Sequence, residues 1–109
     1  MEPTSTEQAW AASLRAFSRR NAGRTTRLLI EHDELGAQWQ EVALTLRGVG
    51  LDPRDGRVEI MLDDGERMGA HLTHSIRGVT DVAVLRRADG CDSVLRIAHP
   101  GGQSLLTLD

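Results

Sequence analysis

Arg57-Val58-Glu59-Ile60-Met61-Leu62 and Ala70-His71-Leu72-Thr73-His74-Ser75-Ile76 flank Asp63-Asp64-Gly65. The stretch reads as a strand, a tight turn and a returning strand. Val58, Ile60 and Leu62 alternate with Arg57, Glu59 and Met61, the period of a half-buried strand. Asp-Gly accepts the backbone angles of a tight hairpin turn. On the return, Ala70, Leu72, His74 and Ile76 share one face, and His71, Thr73 and Ser75 share the other.

Outward from this hairpin the same pattern repeats. Arg24 to Glu31 reads as a strand, with Thr26, Leu28 and Ile30 on one face. His32-Asp33-Glu34-Leu35-Gly36 is a polar connection with room for one helical turn. Gly36 to Glu41 is ambiguous and leans to strand. Val42 to Leu51 alternates until Gly48 and Gly50 interrupt it, which signals a bulge or bend. Asp52-Pro53-Arg54-Asp55-Gly56 is a turn, because Pro presets φ and Asp-Gly closes it. Downstream, Asp81 to Arg87, Asp92 to His99 and Gln103 to Leu108 are strands, separated by Ala88-Asp89-Gly90 and Pro100-Gly101-Gly102. Short strands with turn signals between them argue for an antiparallel meander or small barrel.

The N-terminal region has a different period. Trp10, Leu14 and Phe17 recur at helical spacing. Thr4 with Glu7, or Ser5 with Gln8, has capping-box spacing, and Asn21-Ala22-Gly23 ends the helix. The fold class is therefore α+β. One helix over about 5–21 packs its stripe on a mainly antiparallel, strongly bent sheet or small β-barrel of about six to seven short strands, over about 24–108. The 109 residues are expected to form one domain.

Composition narrows the functional classes. Cys91 is the only cysteine, which excludes an intramolecular disulfide and any CxxC metal site. No apolar run approaches the ~20 residues that cross a bilayer. Met1 to Glu7 lacks the basic and apolar regions of a signal peptide, so a cytoplasmic protein without membrane contact is expected. All 13 basic residues are arginine. Residues 1–27 hold five Arg against Glu2 and Glu7, a net of +3, and residues 28–109 hold eight Arg against fourteen acids, a net of −6.

Two groups of residues are candidate binding surfaces. His71, Thr73 and His74 lie on the central hairpin. His71 and His74, three apart on a strand, point to opposite faces and cannot chelate one ion without a bulge. A metal site would need further ligands from His32, His99, Cys91 or carboxylates, and the spacing matches no zinc motif. No metal and no cofactor are assigned. Arg15, Arg19, Arg20, Arg24 and Arg27 form the second group, with no acid between Glu7 and Glu31. A ligand here is expected to be held through phosphates, because with only Trp10, Phe17 and Trp39 aromatic there is little for base stacking. No catalytic motif is present, and no catalytic residue is assigned.

Trp10 with Phe17-Ser18-Arg19, Glu34-Leu35-Gly36-Ala37-Gln38, Asp55-Gly56-Arg57-Val58-Glu59-Ile60 and His71-Leu72-Thr73-His74-Ser75-Ile76 carry a resemblance. Over nearly its whole length the chain resembles an uncharacterised family of short bacterial proteins, a domain of unknown function. That resemblance implies no activity. At fold level alone, helix, strand, Leu46-Arg47-Gly48-Val49-Gly50-Leu51-Asp52 and Arg57 to Leu62 are similar in order to Sm-like barrels, which form RNA-binding rings. The extra strands after Arg87 and the acidic body depart from them.

Three readings follow. The first is a small non-catalytic binding or interaction protein that self-associates as a homodimer or other homo-oligomer, with a protein partner also open. The second is a nucleic-acid-binding small barrel using the arginines. The third is a small histidine-based enzyme or metal-binding protein, which calls for a pocket holding two or more histidines with convergent carboxylates.

Overall fold

Thr4 is the N-cap of the helix expected from the capping-box spacing. Its hydroxyl accepts the Glu7 N–H at 3.1 Å, and the Glu7 carboxylate accepts the Thr4 N–H at 3.2 Å, closing a capping box on helix α1, Ser5–Asn21. Thr4→Ala is expected to remove about 1 kcal/mol of stability by urea titration. The computed structural model describes residues 4–52, 54–63 and 71–109, with the backbone alone for residues 40–42. Leu14 and Phe17 are fully buried, whereas Trp10, two turns before Phe17, is only partly so.

Among the described residues seven strands follow: β1 Thr25–His32, β2 Gly36–Asp52, β3 Arg57–Asp63, β4 His71–Ile76, β5 Asp81–Arg86, β6 Asp92–His99 and β7 Gly102–Leu108. They form one sheet in the order β4-β3-β2-β1-β7-β6-β5, with every neighbouring pair antiparallel. The chain runs outward to β4, crosses to the far edge at β5, and returns until β7 pairs with β1. Residues 77–80 alone join the two edge strands, so Ile76 and Asp81 lie at most about 18 Å apart. A flat seven-stranded sheet would separate its edges by roughly 29 Å, so the sheet must curl toward itself. It stays open, since β4 and β5 do not pair. Gly78 makes the crossing possible: its φ is +69°, and a Cβ there would stand 3.1 Å from the Pro100 ring.

The inside of the curl is the core. Leu28, Leu46, Val58, Ile60, Leu62, Leu95, Ile97 and Leu106 are buried, and Leu14 and Phe17 cover them from the helix. The β2 strand turns the corner. Its first part pairs with β1 and its last part with β3, with Ala43, Gln40 and Arg47 as extra residues at the register shifts. Ala43 takes a φ of +62°. The bend read at Gly48 is present beside the Arg47 shift, whereas Gly50 pairs regularly with Glu59. Ser18 docks the helix there. Its Oγ accepts the Val49 N–H at 2.8 Å and stands 2.8 and 3.0 Å from the Leu14 and Val49 carbonyls.

Three local expectations change. Residues 33–35 form a β-hairpin turn rather than a helical one, because His32 pairs with Gly36. Gly36 to Asp52 is one long strand rather than an ambiguous segment and a separate strand. Asp63 is a strand residue paired with His71, not a turn residue, and Asp64, Gly65, Glu66 and Ala70 lie outside the described residues. The open seven-stranded order also leaves the Sm-like likeness without support.

Candidate functional site

Strand alternation separates the residues singled out on β4. His71, Thr73 and Ser75 are exposed, while His74 faces the curl with Ile76. His71 and His74 therefore belong to different surfaces. His71 Nδ1 stands 2.7 Å from Asp63 Oδ1 across the β3–β4 pair and 2.9 Å from an Arg47 terminal nitrogen. That nitrogen either donates to Asp63 or accepts from Arg47, so the trio is an exposed cross-strand cluster.

His74 instead meets His32 and His99 at one end of the sheet, around a hollow of about 270 Å³ that Ile30, Arg77 and Ser104 also line. The curl of the sheet brings His74 on β4 to this hollow, and the register sets His32 and His99 there. Gly102 on β7 pairs with His32 on one side and His99 on the other. Two histidines thus flank a residue with no side chain, roughly 10 Å apart. His99 Nδ1 is 3.3 Å from the Pro100 carbonyl, which can only accept, so Nδ1 carries the proton. Nε2 then accepts from the Ser104 hydroxyl at 3.0 Å. Ser104 is 1% exposed, so this pair satisfies a buried hydroxyl and presents no nucleophile to solvent.

Glu31 and Asp33 line the adjoining hollow of about 330 Å³, which shares His32 and His99. The Glu31 carboxylate accepts from Gln103 Nε2 at 3.2 Å. Among the described residues no group of three or more His, Cys, Asp or Glu is placed to hold a metal ion. Histidines converge here, and the carboxylates sit beside them rather than among them.

The arginine group divides. Arg15 and Arg19 are exposed on α1 and form no ion pair among the described residues. Arg27 lies 3.7 Å from Asp109 in an exposed pair. Arg20 and Arg24 come together with Arg86 around Asp92, which the sequence reading did not single out. Asp92 is 4% exposed. Arg20 Nε donates to its Oδ2 at 2.8 Å and Arg86 Nε to its Oδ1 at 3.2 Å. Asn21 Nδ2 also donates to Asp92 Oδ2, at 2.6 Å, and to the Phe17 carbonyl at 2.9 Å. Arg24 completes the ring through the Asn21 Oδ1 at 2.9 Å and the Asp92 main-chain oxygen at 3.0 Å. Burial pushes the Asp92 carboxyl up, but the bonds from Arg20, Asn21 and Arg86 together outweigh it and hold it below the usual carboxylate range.

A period-2 reading of β6 hides Asp92. Leu95 and Ile97 face the core, which would set position 92 outside. The β5–β6 register slips, with Leu85 opposite Val94 and Arg86 opposite Asp92. Ser93 is the extra residue, and the slip turns Asp92 inward.

Among the described residues no helix is long and apolar enough to cross a membrane. A family model described as a family of unknown function (DUF5335) matches residues 4–109. No curated protein and no solved structure matches the chain.

Proposed function

We propose that this chain, which belongs to the DUF5335 family of unknown function, is a small non-catalytic interaction protein that self-associates through the β5 edge of its sheet. The observation that carries the reading is the open sheet, which ends in β5, a strand that among the described residues pairs on one side alone, with β6. Natural proteins protect such edges with proline, lysine, inward charges or a covering element. The central run of β5, Val82-Ala83-Val84-Leu85, has none of these side chains. Leu85 is 45% exposed.

A second copy fits this edge. Under a two-fold axis Val82 lies opposite Leu85 and Ala83 opposite Val84, and no like charges face each other at the ends, Asp81 and Arg86. The β4 edge suits this less well, because its exposed side chains are mostly polar and it carries the Arg47–Asp63–His71 cluster. The family match adds no activity, and the chemistry around His99 and Ser104 favours a structural role.

Light scattering behind a sizing column, at low and high salt, tests the reading. The expected mass is twice 11.9 kDa at both. Ala83→Glu sets two like charges beside the axis and is expected to give a folded monomer. A wild-type chain that stays monomeric at high concentration would sink the proposal, as would an unchanged dimer in Ala83→Glu.

A further inference from the structure

Arg20 on α1 and Arg86 on β5 reach the same buried carboxylate, and each spends its Nε on it. Their terminal nitrogens make no hydrogen bond among the described residues, and the two side chains are 41% and 57% exposed. Together with Arg24, Gly90 and Cys91 they line a hollow of about 400 Å³. Holding Asp92 accounts for one positive charge, yet three guanidinium groups surround it. Arg24 commits its three guanidinium nitrogens to Asn21 and to the Asp92 and Asp109 main-chain oxygens, so Arg20 and Arg86 leave an excess of one positive charge over the Asp92 carboxylate. The neighbouring Asp89 does not offset this, because it is paired with Arg87 at 3.0 Å. Nor does the end of α1: the Asn21 side chain caps the Phe17 carbonyl and the Ala22 N–H caps that of Ser18.

From this we infer that the hollow between the end of α1 and the start of β6 binds a dianionic phosphoryl group. It is carried either by inorganic phosphate or by the phosphate monoester of a small molecule. The Nε bonds fix the two guanidinium planes before a ligand arrives, so the forks lose little freedom on binding. Each presents a pair of terminal N–H groups, the geometry that grips two oxygens of one oxyanion. Gly90 leaves the rim without a side chain. The inference shares Arg86 with the end of the β5 strand but not the central run that carries the proposed pairing, and its readout is ligand affinity rather than mass.

Nuclear magnetic resonance titration of the full chain with sodium phosphate, at constant ionic strength in chloride, tests it. Saturable shifts are expected at the Gly90 and Cys91 amides and the Arg20 and Arg86 Nε–H groups. Arg20→Gln and Arg86→Gln are each expected to weaken binding about tenfold or more. Arg86→Lys keeps the charge without the fork and should lose several-fold. Arg54→Gln, in the β2–β3 turn and 88% exposed, should change nothing. A parallel titration with phenyl phosphate separates the two sources. Tighter binding than inorganic phosphate assigns the site to an ester, and weaker binding assigns it to the free ion. Should Arg20→Gln fail to fold, Arg86→Gln and the wild-type shift map carry the same test. No saturable shift, shifts centred elsewhere, or equal affinity in the arginine variants would overturn the inference.

Discussion

Asp92→Ala is expected to destabilise the fold by about 3 kcal/mol, seen as a lower urea midpoint with an unchanged slope. The buried carboxylate is the shared acceptor of Arg20, Asn21 and Arg86. Arg20 and Arg86 are half-exposed and regain water when it goes, which limits the penalty. Asn21 is 2% exposed and cannot, so one of its side-chain donors is left unsatisfied. The joint between the end of α1, β5 and β6 then loses its common partner. Asp89→Ala is the contrast: its exposed carboxylate accepts from the Cys91 amide and Arg87, both within its own turn, so a loss of about 1 kcal/mol or less is expected.

The same residue sets a pH dependence. The folded-state carboxyl of Asp92 lies below its ordinary value. Its contribution is therefore complete above the unfolded-state pKa of roughly 3.9 and is lost as pH falls through that value and then through the lower folded one. The Asp52 and Asp89 carboxyls are also depressed, by bonds from Arg54 and from the Cys91 amide respectively, so all three push toward acid unfolding. The share of Asp92 is isolated by subtraction. The stability gap between wild type and Asp92→Asn should be largest near neutrality and shrink below about pH 4. A gap that does not change with pH would show that Asp92 acts through shape and not charge.

Much of the architecture was legible because local rules and the fold agree. The capping box at Thr4, the Leu14 and Phe17 stripe and the alternation of Val58, Ile60 and Leu62 each carry their own period. All appear as read. The failures cluster where the period breaks without a marker. Ala43 takes a left-handed conformation that alanine does not advertise, and it lets β2 leave β1 for β3 as a single strand. Ser93 is an extra residue with no glycine beside it, and it swings Asp92 from the expected outer face to the interior. The Arg20–Arg24 half of the arginine cluster was visible as a local run of charge. Its Arg86 and Asp92 half was not, because those residues lie more than sixty positions downstream. His71 and His74 were correctly parted by alternation. The meeting of His74 with His32 and His99 depends on the order of strands in the sheet, which no local pattern encodes.

Gly102→Ala is expected to be the most damaging single-methyl change in the sheet, at about 3 kcal/mol. Two things set its size. The added Cβ would fall on the Glu31 carbonyl oxygen, 2.9 Å from the Glu31 carbonyl carbon and 3.1 Å from the His32 Cα. All of these are main-chain atoms, so no rotamer change relieves the overlap, and β1 must part from β7 at the His32–Gly102 rung. The adjoining Glu31–Gln103 rung and the side-chain bond between those residues are strained with it. That rung is also the floor between His32 and His99, so the damage should be local before it is global. The imidazole resonances of His32 and His99 should move, and amide exchange should quicken at the open ends of β1 and β7. Phe17 and Leu14, buried under the helix at the core, should keep their shifts. Gly50→Ala is the matched control. A Cβ there meets nothing within 4 Å, and the backbone is not left-handed, so it should be neutral or raise stability by about 0.5 kcal/mol. If the two variants melt alike, the close approach of β7 to β1 is not what closes this end of the sheet. The convergence of the histidines would then need another cause.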